Sequence, residues 1–138
     1  LTWLLLAALL TLTAAGCARA SQQDADAALR IGMTPIPYPP AVGQARLVLH
    51  VTDLAGVPID DARLSIKGDM THAGMTPVLA EVSSGTGGYY ETPFEWTMAG
   101  DWIVTVEAWL ADGRRVRERF ELTVLTEDEA ACEDGSQE

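Results

Sequence analysis

Apolar and polar residues alternate with a period of two through most of the chain beyond residue 44, and this constrains its fold more than any other feature. Leu47, Leu49 and Val51 alternate with Arg46, Val48 and His50, and Ala62, Leu64 and Ile66 alternate with Arg63, Ser65 and Lys67. Successive side chains of a strand point to opposite faces, so this spacing predicts two half-buried strands joined through the turn Asp53-Leu-Ala-Gly56. Residues 78–82 offer a further short strand, and Ser83-Ser-Gly-Thr-Gly-Gly88 is a turn built from residues that tolerate positive φ. Tyr90, Thr92, Phe94 and Trp96 then share one face. After Ala99-Gly100-Asp101 the pattern resumes at Trp102, Val104, Val106, Ala108 and Leu110. Asp112-Gly113 signals a tight hairpin, and Val116, Phe120, Leu122 and Val124 share a face of the last strand, with Glu118 the exception.

Short strands separated by turn signals, with no convincing amphipathic helix, favour two packed antiparallel sheets over a parallel α/β sheet. The expected fold is all-β, an immunoglobulin-like antiparallel β-sandwich over residues 36–125. Trp96 and Trp102 are expected in its core.

The chain opens on an uncharged apolar run, Leu1-Thr-Trp-Leu-Leu-Leu-Ala-Ala-Leu-Leu-Thr-Leu-Thr-Ala-Ala-Gly16-Cys17. It is shorter than the roughly 20 residues of a spanning helix and ends in small residues before a cysteine, as a lipoprotein signal does. Residues 1–17 are therefore expected to be a signal peptide ending in a lipidated Cys17, which would make the remainder an extracytoplasmic, periplasmic or cell-surface protein held on the bacterial membrane by its acyl chains. An uncleaved amino-terminal anchor is the alternative. Residues 18–35, rich in Ala, Gln and Asp and running into Met33-Thr-Pro-Ile-Pro-Tyr-Pro-Pro40, are expected to form a flexible tether.

The net charge of −11 divides unevenly. Residues 126–138 hold six acids and no base, and are expected to be a disordered tail; the rest carries 14 acids against 9 bases. Nucleic-acid binding needs a clustered basic face. Arg115, Arg117 and Arg119 would share one strand face, but Glu118 and Glu121 interrupt the run, and a solvated face is the expected reading. If Cys17 carries a lipid, Cys132 has no intrachain disulfide partner. No nucleophile elbow, paired-carboxylate signature or glycine-rich phosphate loop accompanies Ser83 and Ser84, so an enzyme is not expected.

One loop suggests chemistry. Gly68-Asp-Met-Thr-His-Ala-Gly-Met-Thr-Pro77 brings together Met70, His72 and Met75. In an extended backbone Met70 and His72 point to the same side, and Gly74 can turn Met75 back toward them. Thioethers with imidazole form a soft donor set suited to Cu(I), without the thiolates of structural zinc or the carboxylates of calcium sites. His50, Met33 or Met98 could complete it. Methionine is also a common core filler, and that reading stays open.

The strings Met70-Thr-His-Ala-Gly-Met-Thr-Pro77, Gly88-Tyr89-Tyr90 and Phe94-Glu-Trp-Thr-Met-Ala-Gly-Asp-Trp102, with Pro37-Tyr-Pro-Pro-Ala-Val-Gly43 and Asp53-Leu-Ala-Gly-Val-Pro58 before them, resemble the YtkA-like family, related to FixH-like proteins. The resemblance implies a small immunoglobulin-like domain of the bacterial envelope, linked with copper handling or maturation of respiratory oxidases, with Met70, His72 and Met75 as donors. The expected partners are the lipid bilayer, through Cys17, and a membrane oxidase or copper transporter. The competing expectation is a metal-free protein interaction module.

Overall fold

The computed structural model describes residues 29–72 and 74–134; residues 1–17, where a signal peptide ending in Cys17 is expected, and residues 18–28, 73 and 135–138 lie outside the described residues. Seven strands form, in chain order β1 (Leu29–Ile36), β2 (Gly43–Asp53), β3 (Arg63–Met70), β4 (Val78–Val82), β5 (Tyr89–Trp96), β6 (Gly100–Trp109) and β7 (Arg115–Val124), followed by helix α1 (Glu127–Asp134). They make a three-stranded sheet, β1-β2-β5, and a four-stranded sheet, β4-β3-β6-β7, with every ladder between named strands antiparallel. This is the immunoglobulin-like sandwich expected from the alternation.

In β2, β3, β5 and β6 the inward set is the set the period identifies. Leu47, Leu49, Val51, Leu64, Ile66, Tyr90, Phe94, Trp96, Trp102, Val104, Val106 and Ala108 are all buried. Trp96 packs edge-on to both Phe94, at 4.8 Å between ring centroids, and Trp102, at 5.2 Å, bringing the first sheet against the second. Gly68 makes room for this cluster: a Cβ there would lie 2.7 Å from Phe94 Cζ and 3.3 Å from Trp102 Cζ3. On the outer surface Arg115, Arg117 and Arg119 are exposed along β7, Arg117 paired with Glu107 and Arg119 with Glu121.

Two segments differ from expectation. Residues 29–35 are not tether but most of β1, paired with β2 from Leu29↔Asp53 to Ile36↔Arg46. Leu29, Ile31 and Pro35 point inward and are buried. β1 is an edge strand, where a proline need not supply a ladder N–H. The segment expected as a disordered tail begins with α1. Thr126 Oγ1 accepts the N–H of Glu129 at 3.3 Å, and the Glu129 carboxylate accepts the Thr126 N–H at 2.9 Å, a reciprocal cap that satisfies donors at the helix start. The Thr126 N–H foremost, and the Thr126 hydroxyl donating to the same carboxylate at 2.8 Å, hold the Glu129 carboxyl below its ordinary range.

Tyr90 ties the long connection between β2 and β3 to the core. Its hydroxyl donates to Ile59 O at 2.7 Å and accepts the Ala62 N–H at 3.0 Å. Burial pushes its ionisation above the ordinary tyrosine value, opposed by the Ala62 N–H and reinforced by Asp60 and Asp61. Tyr90→Phe leaves the Ala62 N–H buried and unpaired, with an expected cost of about 1–3 kcal/mol in urea denaturation. The sign of the pH effect follows from the raised folded-state value. The unfolded tyrosine releases its proton first, so wild-type stability is intact below about pH 10 and declines above it. The gap between wild type and Tyr90→Phe should therefore narrow in alkali; a gap that stays constant would argue against this role for the hydroxyl.

Candidate functional site

The sandwich has two poles. One gathers the β1–β2 loop at residues 37–42, the β3–β4 loop at 71–77 and the β5–β6 turn at 97–99, with the exit from β7; the other gathers residues 53–62, 83–88 and 110–114.

Met70, His72, Met75 and Met98 all belong to the first pole. β3 ends at Met70, the last residue of its ladder with β6, opposite Trp102. Only the Thr71 N–H continues toward β6, donating to Asp101 O at 3.2 Å. Beyond it the chain bends, so Met70 and His72 do not point to one side as an extended backbone would require. Met70 turns into the core, 9 % exposed, and His72 is exposed. Gly74, at φ +90°, reverses the chain, and Met75 returns half-buried to pack against the core. The left-handed φ at that position is one a glycine adopts without strain.

Met70 reaches the neighbouring turn. Its Cε lies 3.2 Å from where a Gly100 Cβ would stand, so the missing side chain at Gly100 is what admits the thioether there. Two residues before Gly100 is Met98, 48 % exposed, and its carbonyl accepts the Trp102 indole N–H at 2.9 Å. A core tryptophan thus fixes the turn that carries exposed Met98, the turn whose Gly100 the Met70 side chain approaches. Sequence reasoning named Met98 only as an addition; the glycine two positions later is the local signal for close approach.

His50 lies elsewhere. It faces outward on β2 and stacks on Tyr89, with ring centroids 4.2 Å apart and planes 14° from parallel. Tyr89 begins β5, at the second pole, and seven residue steps along β2 separate His50 from Gly43 at the first, about 23 Å at strand rise. His50 therefore cannot complete the loop set. Met33 faces inward on β1 opposite Leu49 and packs against the core. Among the described residues no three His, Cys, Asp or Glu side chains are grouped to hold a metal ion. A shallow groove of about 560 Å³ runs beside Thr71 across the outer face of β6 and β7. Its polar groups are engaged with one another, Thr123 with Asp101 and Arg119 with Glu121.

The model of the YtkA-like family matches residues 22–107, a span that contains β1 to most of β6 and the whole Met/His loop. The chain belongs to the YtkA-like family. No curated protein shows significant similarity to it. Among solved structures the YtkA-like domain is similar to the soluble domain of PmoD from Methylocystis sp. ATCC 49242 (Rockwell), at 13% identity and a TM-score of 0.43 over 70% of this chain and 90% of that one. It is also similar to murine CRIg, at 12% identity and a TM-score of 0.41 over 70% of this chain and 98% of that one.

Proposed function

We propose that this YtkA-like chain is an extracytoplasmic lipoprotein, anchored through Cys17, that binds Cu(I) at the pole carrying Met70, His72, Met75 and Met98. It hands the ion to a membrane oxidase or copper transporter and acts by binding, with no catalytic turnover of its own. The observation that carries the reading is the approach of Met70 to Gly100, which sets a buried thioether against the turn bearing exposed Met98, with His72 and Met75 on the adjoining loop. The donor set fits the ion. Thioether sulfur and imidazole favour Cu(I) over Ca²⁺ or Mg²⁺, and the flexible methionine side chain can swing from packing to coordination.

Cu(I) competition against a chromophoric chelator, on the chain lacking its first 17 residues, tests this. The comparison is a Met70→Leu, His72→Ala, Met75→Leu, Met98→Leu variant, in which leucine preserves core volume and so separates lost ligation from lost folding. One equivalent is expected in the wild type, weakened at least about 100-fold in the variant, or about 2.8 kcal/mol. Equal affinity in both proteins would eliminate the site and leave a metal-free interaction module.

A further inference from the structure

The soft donors and the incoming chain occupy opposite poles. β1 starts at Leu29, opposite Asp53, so the preceding segment joins the domain beside the turn that follows β2. β6 runs from the donor pole to this one, and its ten residues span about 30 Å at strand rise. Residues 18–28 separate Cys17 from Leu29 and reach about 40 Å at most when fully extended.

The joining pole also has the surface of something that rests on lipid. The turn after β2 exposes Leu54 (59 %) and Val57 (55 %). The turn holds its shape because the Asp53 carboxylate accepts the N–H groups of Ala55 and Val57, both at 2.8 Å, and the Asp53 carbonyl accepts that of Gly56, leaving the two apolar side chains at its tip. At the same pole, half-buried Trp109 lies on the outer face of the second sheet, in register between Arg63 and Arg115. Neither arginine is in an ion pair among the described residues. The carboxylates of Asp60 and Asp112 are engaged, by the Gly88 N–H and by Arg114. With exposed Asp61 and half-buried Asp53 also here, the pole carries no excess of positive charge, and it is the apolar tips, with an indole at the same pole, that suit a membrane interface.

We infer that this pole faces the bilayer, seats Leu54 and Val57 on it, and holds the Met/His pole about 30 Å farther out. The donor pole therefore docks with a protein surface that stands in water above the membrane, an extramembrane domain or a soluble protein, and not with a site inside the bilayer. The inference rests on the anchoring at Cys17 proposed above, and is independent of which metal the donor pole takes.

The lipid-bearing chain, purified from membranes, can be given one reactive thiol at Ala55→Cys or Thr76→Cys in a Cys132→Ser background, because Cys17 is consumed by its lipid. Each is labelled with a polarity-sensitive fluorophore and placed in vesicles of phosphatidylglycerol and phosphatidylcholine containing headgroup spin-labelled lipid. Quenching is expected to be several-fold stronger at position 55 than at 76, and to fall toward the level at 76 when Leu54→Asp and Val57→Asp are added. Equal quenching at both positions, or stronger quenching at 76, overturns the orientation while leaving anchoring intact. Quenching at 55 that is indifferent to the two aspartates overturns the seating of the turn. A membrane-extracted chain whose Cys17 carries no acyl group overturns the anchoring, and this inference with it.

Discussion

Trp102→Ala is expected to remove about 3–5 kcal/mol of stability, a large fraction of the total that a domain of this kind has. Trp102 is 1% exposed and lies in the aromatic cluster that joins the two sheets, edge-on to Trp96 with Gly68 beside it. Alanine leaves a cavity that the Trp96 and Phe94 rings are too rigid to fill, and frees the Met98 carbonyl that the indole holds. No disulfide among the described residues limits the unfolded chain. Urea denaturation should show a midpoint lowered by about 1–3 M with an unchanged slope. A midpoint within error of the wild type would mean that the sheets are held together elsewhere.

Gly88→Ala should be nearly as damaging, at about 3 kcal/mol, through the backbone and not the core. Gly88 sits at φ +80°, and a Cβ there would lie 2.6 Å from the Val51 carbonyl oxygen and 3.2 Å from Pro58 Cβ. A backbone oxygen cannot rotate away. Moving it strains the point where Val51 N donates to Gly88 O at 2.8 Å and Gly88 N donates to Asp60. The adjacent glycine provides the control. Gly87, at φ +62°, has nothing within 4 Å of an added Cβ, so Gly87→Ala should cost only about 1 kcal/mol for the left-handed backbone. Equal losses from the two substitutions would show that φ alone, and not the approach to Val51, requires glycine at 88.

Most of the sandwich is legible in the chain because its strands are half-buried. With one face on the core and one in water, the period of two appears directly in the residues, and Tyr90, Thr92, Phe94 and Trp96 could be assigned to one face before any partner was known. β1 is less legible. Its inward residues Leu29, Ile31, Met33 and Pro35 do alternate, but the prolines that follow read as linker, and only pairing with β2 makes the segment a strand. α1 was obscured by acidity: Thr126 and Glu129 carry the capping signature, while the surrounding charge reads as a solvated tail.

The candidate site was legible in its residue types and not in its geometry. Met70, His72 and Met75 stand out as soft donors, yet spacing alone put Met70 and His72 on one side, which holds only while the strand continues. The ladder with β6 stops at Met70, and the bend beyond it separates a buried thioether from an exposed imidazole. The same limit applies to His50, whose distance from the loop depends on the direction of β2.

By itself the sequence determined the class of fold, the inward residues of five strands, the turns between them and the donor chemistry of one loop, because these follow from side-chain periodicity and local backbone preference. The tertiary structure decided that residues 29–36 complete the first sheet, that Met98 and not His50 shares a pole with the Met/His loop, and that the chain enters at the opposite pole. These are consequences of strand direction and pairing between segments far apart in the chain, and no local pattern of residues encodes them.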